Sequence, residues 1–142
     1  IEEYIKGIDL ANYLIGNENF YSINSIITTE LYNKSPFTIY SPNEKRTNLR
    51  TLFLDEEYFS LDLVKKIKEQ SVLIAQTLDV HDICRIDYRI NLSNYEVNFI
   101  EINSAPHFSN SSEIGFIAQK KNISFLQMMQ YYLETVLKRL IY

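Results

Sequence analysis

Two short segments of the sequence combine an arginine, two carboxylates and an amide. Arg85 and Asp87 stand two residues apart, and Glu101 and Asn103 have the same spacing. Side chains two apart in a strand share a face, so a hairpin closing around residues 92–94 would bring Asp87 close to Glu101. Carboxylate and amide oxygens suit Mg²⁺, which is usually held by one or two carboxylates plus phosphates. Arg85 would then face an anionic substrate.

The same alternation is also typical of a solvated sheet face that carries an Arg–Asp–Glu surface network. Spacing alone does not separate the two interpretations. The neighbouring residues favour the cation, because the polar positions are embedded in apolar runs: Val97, Phe99, Ile100 and Ile102. Carboxylates without a compensating charge would be costly there.

The elements that must position these residues are long, because only 3 Gly and 3 Pro interrupt the chain. The first part alternates like an antiparallel meander, with strands over residues 1–5, 10–15 and 20–28. A turn is expected at Lys6-Gly7. Residues 33–50 form a polar loop of a length that is typical of a functional lid or a disordered segment.

The second part of the chain switches between helical and strand periods. A helix is predicted over residues 55–78, with an apolar face formed by Phe59, Leu63, Ile67, Ile74 and Leu78. Strands over 83–91 and 96–102 follow, joined by the turn at 92–94. A last helix is predicted over 125–140, with a Ser124/Gln127 capping box. Its apolar stripe consists of Leu126, Met129, Leu133, Val136, Leu137 and Leu140. The pattern predicts one α+β domain, an antiparallel β-sheet packed against two long helices.

Composition excludes several classes of function. The 142 residues are 46% hydrophobic and 23% charged, which fits a globular domain and not a disordered or collagen-like chain. No apolar run approaches 18 residues, so we expect no membrane partner. The net charge of −4 and the absence of a basic run argue against nucleic acid. The single cysteine, Cys84, cannot form an internal disulfide, so we expect the protein in the reducing cytoplasm. Cys84 also alternates with Arg85, so we expect its side chain on the core face of the strand.

The closing segment resembles a known family. Arg85-x-Asp87, followed by FIEINSAP over residues 99–106, resembles the closing motif of the D-alanine–D-alanine ligase branch of the ATP-grasp superfamily. In that family an R-x-D strand precedes E-(V/I/A)-N-(T/S)-x-P-G, a serine-containing loop and a terminal helix. The opening EEYIKGID over residues 2–9 resembles the family's hinge strand. The resemblance covers nearly the whole chain, but only as the family's C-terminal lobe, so we expect residues 1–142 to be one domain of a longer chain.

The resemblance implies a role for each residue of the motif. Asp87, Glu101 and Asn103 would hold two Mg²⁺ (or Mn²⁺) ions at the ATP phosphates, with Glu101 shared between them. Arg85 would stabilise the negative charge that develops during the reaction. Ser112 takes the place of the serine that binds the carboxylate of the second amino acid.

The resemblance also implies nucleotide contacts. The adenine contacts fall on the hinge strand: Glu2, Glu3, Tyr4 and Ile5. Asp9 takes the place of the acid that meets the ribose. Lys45 takes the place of the lid lysine that contacts the γ-phosphate, with Arg46 as the alternative one position on.

The activity implied is that of an ATP- and Mg²⁺-dependent carboxylate–amine ligase of cell wall biogenesis, acting through an acyl phosphate on small amino-acid or peptide substrates. The family is commonly homodimeric and cytoplasmic. Because ATP-grasp enzymes hold ATP between two lobes, we expect the 142-residue lobe alone to be inactive.

Three departures from the family pattern leave alternatives open. His107 replaces the glycine after the motif proline, Glu113 and Gly115 replace the leucine and proline of S-L-x-P, and the lid signature is reduced to YSPNEKR over residues 40–46. One alternative is a catalytically degenerate nucleotide-binding or interaction module. Another is an enzyme whose amine substrate is not D-alanine but carries a cationic group attracted by Glu113.

Overall fold

A five-stranded antiparallel sheet forms the centre of the computed structural model, which describes residues 4–17, 21–28 and 52–141. The strands are β1 (Gly7–Gly16), β2 (Tyr21–Thr28), β3 (Leu52–Leu54), β4 (Asp82–Asn91) and β5 (Glu96–Asn103). Their order across the sheet is β3-β2-β1-β4-β5. The helices are α1 (Leu61–Thr77), α2 (Glu113–Lys120) and α3 (Phe125–Ile141), with a 3₁₀ turn at Asp55–Glu57. The predicted α+β class is confirmed.

The two faces of the sheet are covered to different extents. On one face, side chains such as Leu14 and Cys84 pack against α1 around Ile67, and all three are 0% exposed. On the other face, Ile15 and Ile83 form a separate cluster with α2 and α3. Among the described residues these two helices cover only that end of the face. The rest of it carries the polar side chains of β1, β4 and β5.

The start of the chain differs from the prediction. Residues 4–6 form no regular element, and residues 1–3 lie outside the described residues. The turn predicted at Lys6-Gly7 is wrong, because Gly7 is the first residue of β1 and pairs with Asn91 of β4. A Cβ at Gly7 would lie 2.0 Å from the carbonyl oxygen of Ile90. The glycine therefore permits close approach of two strands and does not mark a turn.

The first helix is shorter than predicted, and its predicted apolar face is confirmed except at Leu78, since Leu63 and Ile67 are buried. It begins at Leu61 after an N-cap at Ser60, whose Oγ accepts the N–H of Leu63 at 3.4 Å. Leu78 was predicted on the apolar face, but it is 53% exposed beyond the helix end. Ser71 is buried instead, because its hydroxyl bonds the Tyr88 hydroxyl at 2.7 Å.

The hairpin and the last helix follow the predicted bounds closely. The Ser124/Gln127 capping box is confirmed: Oε1 of Gln127 accepts the Ser124 N–H at 2.9 Å, and Oγ of Ser124 accepts the Gln127 N–H at 3.2 Å. The predicted buried stripe of α3 is wrong, since Met128 is buried and most of the stripe is exposed: Leu126, Leu133, Leu137 and Leu140. The short helix α2 and the short strand β3 were not predicted. No helix in the described part of the chain is long and apolar enough to cross a membrane.

Candidate functional site

A register shift in the β4–β5 hairpin separates the polar side chains from the apolar ones. Asp87 pairs with Glu101, but the next residue, Tyr88, pairs with Phe99, so β5 carries one extra residue there. Phe99 therefore lies on the Tyr88 side, with ring centroids 6.4 Å apart, while Glu101 lies on the Asp87 side. Such bulges re-aim side chains and are common beside active sites. The predicted closeness of Asp87 and Glu101 is confirmed.

Arg85 and Asp87 form a bidentate ion pair at the centre of this face. The guanidinium Nε donates to Oδ1 of Asp87 at 2.8 Å, and Nη2 donates to Oδ2 at 2.7 Å. The Arg85 Nη2 also lies 3.9 Å from Oε1 of Glu101. The Arg85 and Asp87 side chains are 26% and 23% exposed, whereas that of Glu101 is 62% exposed. The face thus presents a half-buried ion pair beside an open carboxylate.

The electrostatics of this pair follow from burial and charge. Burial raises the pKa of Asp87, and the carboxylates of Glu101 and Glu113 raise it further, although Arg85 lowers it. Burial alone would lower the pKa of Arg85, but its contact with Asp87 raises the pKa instead. The guanidinium therefore stays charged, while the net effect on Asp87 is a pKa above its usual value.

Tyr13 and Glu113 extend the cluster, and the sequence patterns had not identified Tyr13. Tyr13 stands opposite Arg85 on β1 and is 2% exposed. Its hydroxyl donates a hydrogen bond to Oε2 of Glu113, the first residue of α2. Burial raises the pKa of Tyr13, and Glu113 raises it further, so the hydroxyl stays protonated and remains a donor. Only the β1–β4 register, which no motif encodes, places Tyr13 here.

The donor set fits a divalent cation that is shared with a phosphate ligand. Within the described ranges, the carboxylates of Asp87 and Glu101 lie 2.7 and 3.9 Å from Nη2 of Arg85, so two negative charges share one guanidinium. Within residues 4–17, 21–28 and 52–141, no three His, Cys, Asp or Glu side chains are placed to hold a metal alone. Mg²⁺ typically takes only one or two carboxylates and completes its shell with water and phosphate oxygens. Asn103 stands opposite Arg85, and its Oδ1 accepts the Ala105 N–H at 2.9 Å, which fixes the orientation of the amide.

Ser112 ends the loop between β5 and α2. It is the N-cap residue of α2, and its hydroxyl donates to the Ser109 carbonyl at 2.6 Å. A Cβ at Gly115 would lie 2.0 Å from the Asn110 carbonyl oxygen, so the missing side chain lets this loop pack against the helix. His107 is exposed in the same loop. The substrate contact of Ser112 stays a prediction.

Arg89 contacts the start of the described chain, between Tyr4 and Asp9, and the sequence patterns did not identify it. Its Nη1 donates to Oδ1 of Asp9 at 2.6 Å, and its Nε donates to the Ile5 carbonyl at 3.0 Å. Its Nη2 lies 3.3 Å from the Tyr4 hydroxyl, and the guanidinium carbon lies 5.7 Å from the centroid of the Tyr4 ring. The alternation Arg85-x-Asp87-x-Arg89 could have placed it on the same face. The remaining candidate residues lie outside the described residues: Glu2, Glu3, Lys45 and Arg46.

Comparison with known families decides what kind of domain this is. The family described as "D-ala D-ala ligase C-terminus" matches residues 1–134. The chain belongs to this family. This D-ala D-ala ligase C-terminal domain, an ATP-grasp domain, is 30% identical over 130 residues to a D-alanine–D-alanine ligase of Petrotoga mobilis, a match that covers 91% of the chain and 41% of that protein. The chain spans about two fifths of the length of the curated ligases it matches.

Solved structures share the fold of the D-ala D-ala ligase C-terminal domain. The D-alanine–D-alanine ligase of Bacillus anthracis complexed with ATP superposes with a TM-score of 0.69 at 15% identity, covering 96% of this chain and 39% of that one. The VanG D-Ala:D-Ser ligase of Enterococcus faecalis gives 0.69 at 19% identity, covering 94% and 37%. These likenesses show a common fold.

Proposed function

We propose that this chain is the nucleotide- and metal-binding lobe of an ATP- and Mg²⁺-dependent carboxylate–amine ligase, similar to the D-alanine–D-alanine ligases. ATP would phosphorylate the carboxylate of one small amino acid or peptide, and the amine of the second would displace phosphate to form an amide. The observation that carries the proposal is the convergence of Arg85, Asp87, Glu101 and Asn103 on the uncovered part of the sheet. Family membership supports the same assignment.

The charges of the cluster suit phosphoryl transfer. Asp87, Glu101 and Asn103 are the residues that would hold Mg²⁺, and a bound Mg²⁺ supplies the positive charge that a transferring phosphoryl group needs. Arg85 stays charged and is held by two contacts to Asp87, so its guanidinium is oriented before the substrate binds. A fixed cation of this kind stabilises developing negative charge without having to reorganise.

Arg89 supports the nucleotide end of the proposed site. It fixes Ile5 and Asp9, the residues expected beside the adenine and the ribose. We expect Arg89→Met to raise the KM for ATP about ten-fold, since hydrogen bonds to charged groups contribute about 1.5–3 kcal/mol, and to leave kcat nearly unchanged. Steady-state kinetics at saturating amino acid measures both.

Arg139 offers a matched control for that prediction. Arg139 lies on α3 and makes a bidentate contact with Asp82, at 3.0 and 2.6 Å, at the end of β4 opposite to Arg89. Arg139→Met should leave the KM for ATP unchanged. An equal rise in KM for both variants would mean that the loss reflects general loosening of β4 and not a role of Arg89 at the nucleotide.

A degenerate binding module is the second candidate, and one observation favours it. Both oxygens of Asp87 are engaged by Arg85, and the amide oxygen of Asn103 is engaged by the Ala105 N–H, so two of the three candidate ligands already have protein partners. A carboxylate still offers further lone pairs, so a cation and Arg85 can share Asp87. Binding of Mg-ADP without amine-dependent chemistry would select this alternative.

The test is ADP release from Mg-ATP by the natural protein that carries this chain, with a panel of D- and L-amino acids that includes D-alanine and D-serine. We expect release that depends on an amino acid, and the most effective one identifies the substrate class. Faster ADP release with cationic amino acids than with D-alanine would indicate that Glu113 selects the amine. Absence of release with every candidate would contradict the ligase proposal.

A further inference from the structure

A buried contact joins the central strand to the helix that follows the candidate site. Tyr13 lies in the middle of β1, and its hydroxyl donates to Glu113 at the start of α2. A hydrogen bond from a neutral hydroxyl to a carboxylate is stronger than one between neutral groups. The proposed phosphoryl transfer assigns no role to Tyr13, and it considers Glu113 only as the group that would select a cationic amine.

This contact lies directly beside Arg85. Tyr13 pairs with Arg85 across β1 and β4, on the same face of the sheet. The charge of Glu113 acts on both Arg85 and Asp87. Besides Glu101 at 3.9 Å, Arg85 therefore has two anionic neighbours held in different ways: Asp87 on its own strand, and Glu113 fixed by the Tyr13 hydroxyl.

Asp87 alone does not hold Arg85 in place at every step, because the proposed function also makes Asp87 a metal ligand. Its two oxygens bind Arg85, yet it is also a candidate ligand for a divalent cation. A cation that binds Asp87 weakens the ion pair between Asp87 and Arg85. Glu113 is not among the proposed ligands, so its negative charge stays available to Arg85 when Asp87 is shared.

We infer that Tyr13 and Glu113 are positioning residues, a second anchor that holds Arg85 in place while Asp87 is shared with a divalent cation. The inference rests on the proposed function for the role of that cation. It replaces the idea that Glu113 recruits a cationic substrate, because the Tyr13 hydroxyl directs the carboxylate toward the sheet.

The experiment measures metal binding in the natural protein that carries this chain. The dissociation constant of Mn²⁺ at saturating ADP is taken from the paramagnetic resonance signal of free Mn²⁺. We expect Tyr13→Phe and Glu113→Gln each to weaken Mn²⁺ binding about ten-fold, the usual size of effect for a partner of a metal ligand. In these variants Arg85 depends more on its contact with Asp87, so it competes with the metal for that carboxylate. The double variant should be no weaker than either single one, because both act on one anchor.

Two further variants separate positioning from general damage. Glu113→Asp keeps the charge, so it should recover part of the affinity that Glu113→Gln loses. Lys120 lies on the same helix as Glu113, and Lys120→Met breaks its 2.8 Å contact with Glu57 of the 3₁₀ turn. This variant should leave Mn²⁺ binding unchanged. Lys120→Met weakening the metal as strongly as Glu113→Gln would overturn the inference.

A second measurement reports on Arg85 directly, with diamagnetic Mg²⁺ and ADP bound and without turnover. The Nε–Hε signal of ¹⁵N-labelled Arg85, assigned with Arg85→Lys, should show greater mobility in Glu113→Gln than in the wild type. Unchanged mobility together with unchanged Mn²⁺ affinity would overturn the inference and leave the ligase proposal standing. A shifted amine preference at unchanged Mn²⁺ affinity would overturn it in favour of substrate selection. A wild type that binds Mn-ADP but releases no ADP with any amino acid would contradict the ligase proposal alone.

Discussion

Glu101→Gln should reduce Mg-ATP-dependent turnover by roughly 10²–10³-fold, the usual cost of removing one strong electrostatic contact to a transition state. Glu101 is the most open carboxylate of the cluster, and its contact with Arg85 is long, at 3.9 Å. It therefore contributes little to the fold and is well placed for a ligand. The change keeps the shape of the side chain and removes only its charge. The measurement is kcat at saturating ATP, with the apparent affinity for Mg²⁺ taken from the same titration.

Glu96→Gln is the matched control for this prediction. Glu96 is an exposed glutamate on the same strand, opposite Asn91 at the hairpin end, and the described contact of its side chain is a 3.3 Å hydrogen bond to Asn94. It should keep both wild-type kcat and wild-type Mg²⁺ dependence. Thermal unfolding of both variants should match the wild type. If Glu101→Gln keeps its rate, or loses no more than Glu96→Gln, Glu101 is not a metal ligand.

The hairpin that carries the motif could be predicted because its signals are local. Alternation put Arg85 and Asp87 on one face, and the short polar turn closed the two strands in the expected place. The Ser124/Gln127 box marked a helix start for the same reason, since a cap involves residues three apart. Local patterns encode such elements directly.

The rest of the site depends on contacts that are distant in sequence. Tyr13 meets Glu113 a hundred residues away, and Arg89 meets Ile5 and Asp9 about eighty residues away. Neither pair follows from spacing within one element. The Arg89 contacts require the β1–β4 register, and the Tyr13 contact requires the packing of α2 against the sheet, so both become visible only once the fold is built.

The error on α3 has a different physical origin. Its sequence is apolar on more than one side, so periodicity identified a helix but not the face that would be buried. Packing against the sheet buries Met128, while Leu126 and Leu140 are each 67% exposed. A helical period thus predicts an element reliably, but the neighbours of the element decide its orientation.

Arg85→Met should lower kcat by about 10³-fold, because it removes an oriented guanidinium from beside the proposed phosphoryl path. The same change removes the positive charge that Asp87 and Glu101 share. Removing one partner of a fully buried pair costs about 3–5 kcal/mol, and since this pair is about a quarter exposed we expect a loss of about 2 kcal/mol. Arg85→Lys keeps the charge but not the two-point contact, so its losses in rate and stability should be smaller.

The response to Mg²⁺ distinguishes the two roles of Arg85. Millimolar Mg²⁺ should restore part of the stability of Arg85→Met, because a divalent cation that binds the folded protein reduces the repulsion between the carboxylates that Arg85 neutralised. It should not restore kcat, since Arg85 contributes directed hydrogen bonds as well as charge. Denaturant unfolding with and without Mg²⁺, compared with kcat across the same titration, measures both. Recovery of kcat by Mg²⁺ would mean that Arg85 acts only as a structural counter-charge, and the assignment of Arg85 to the reacting centre would then be wrong.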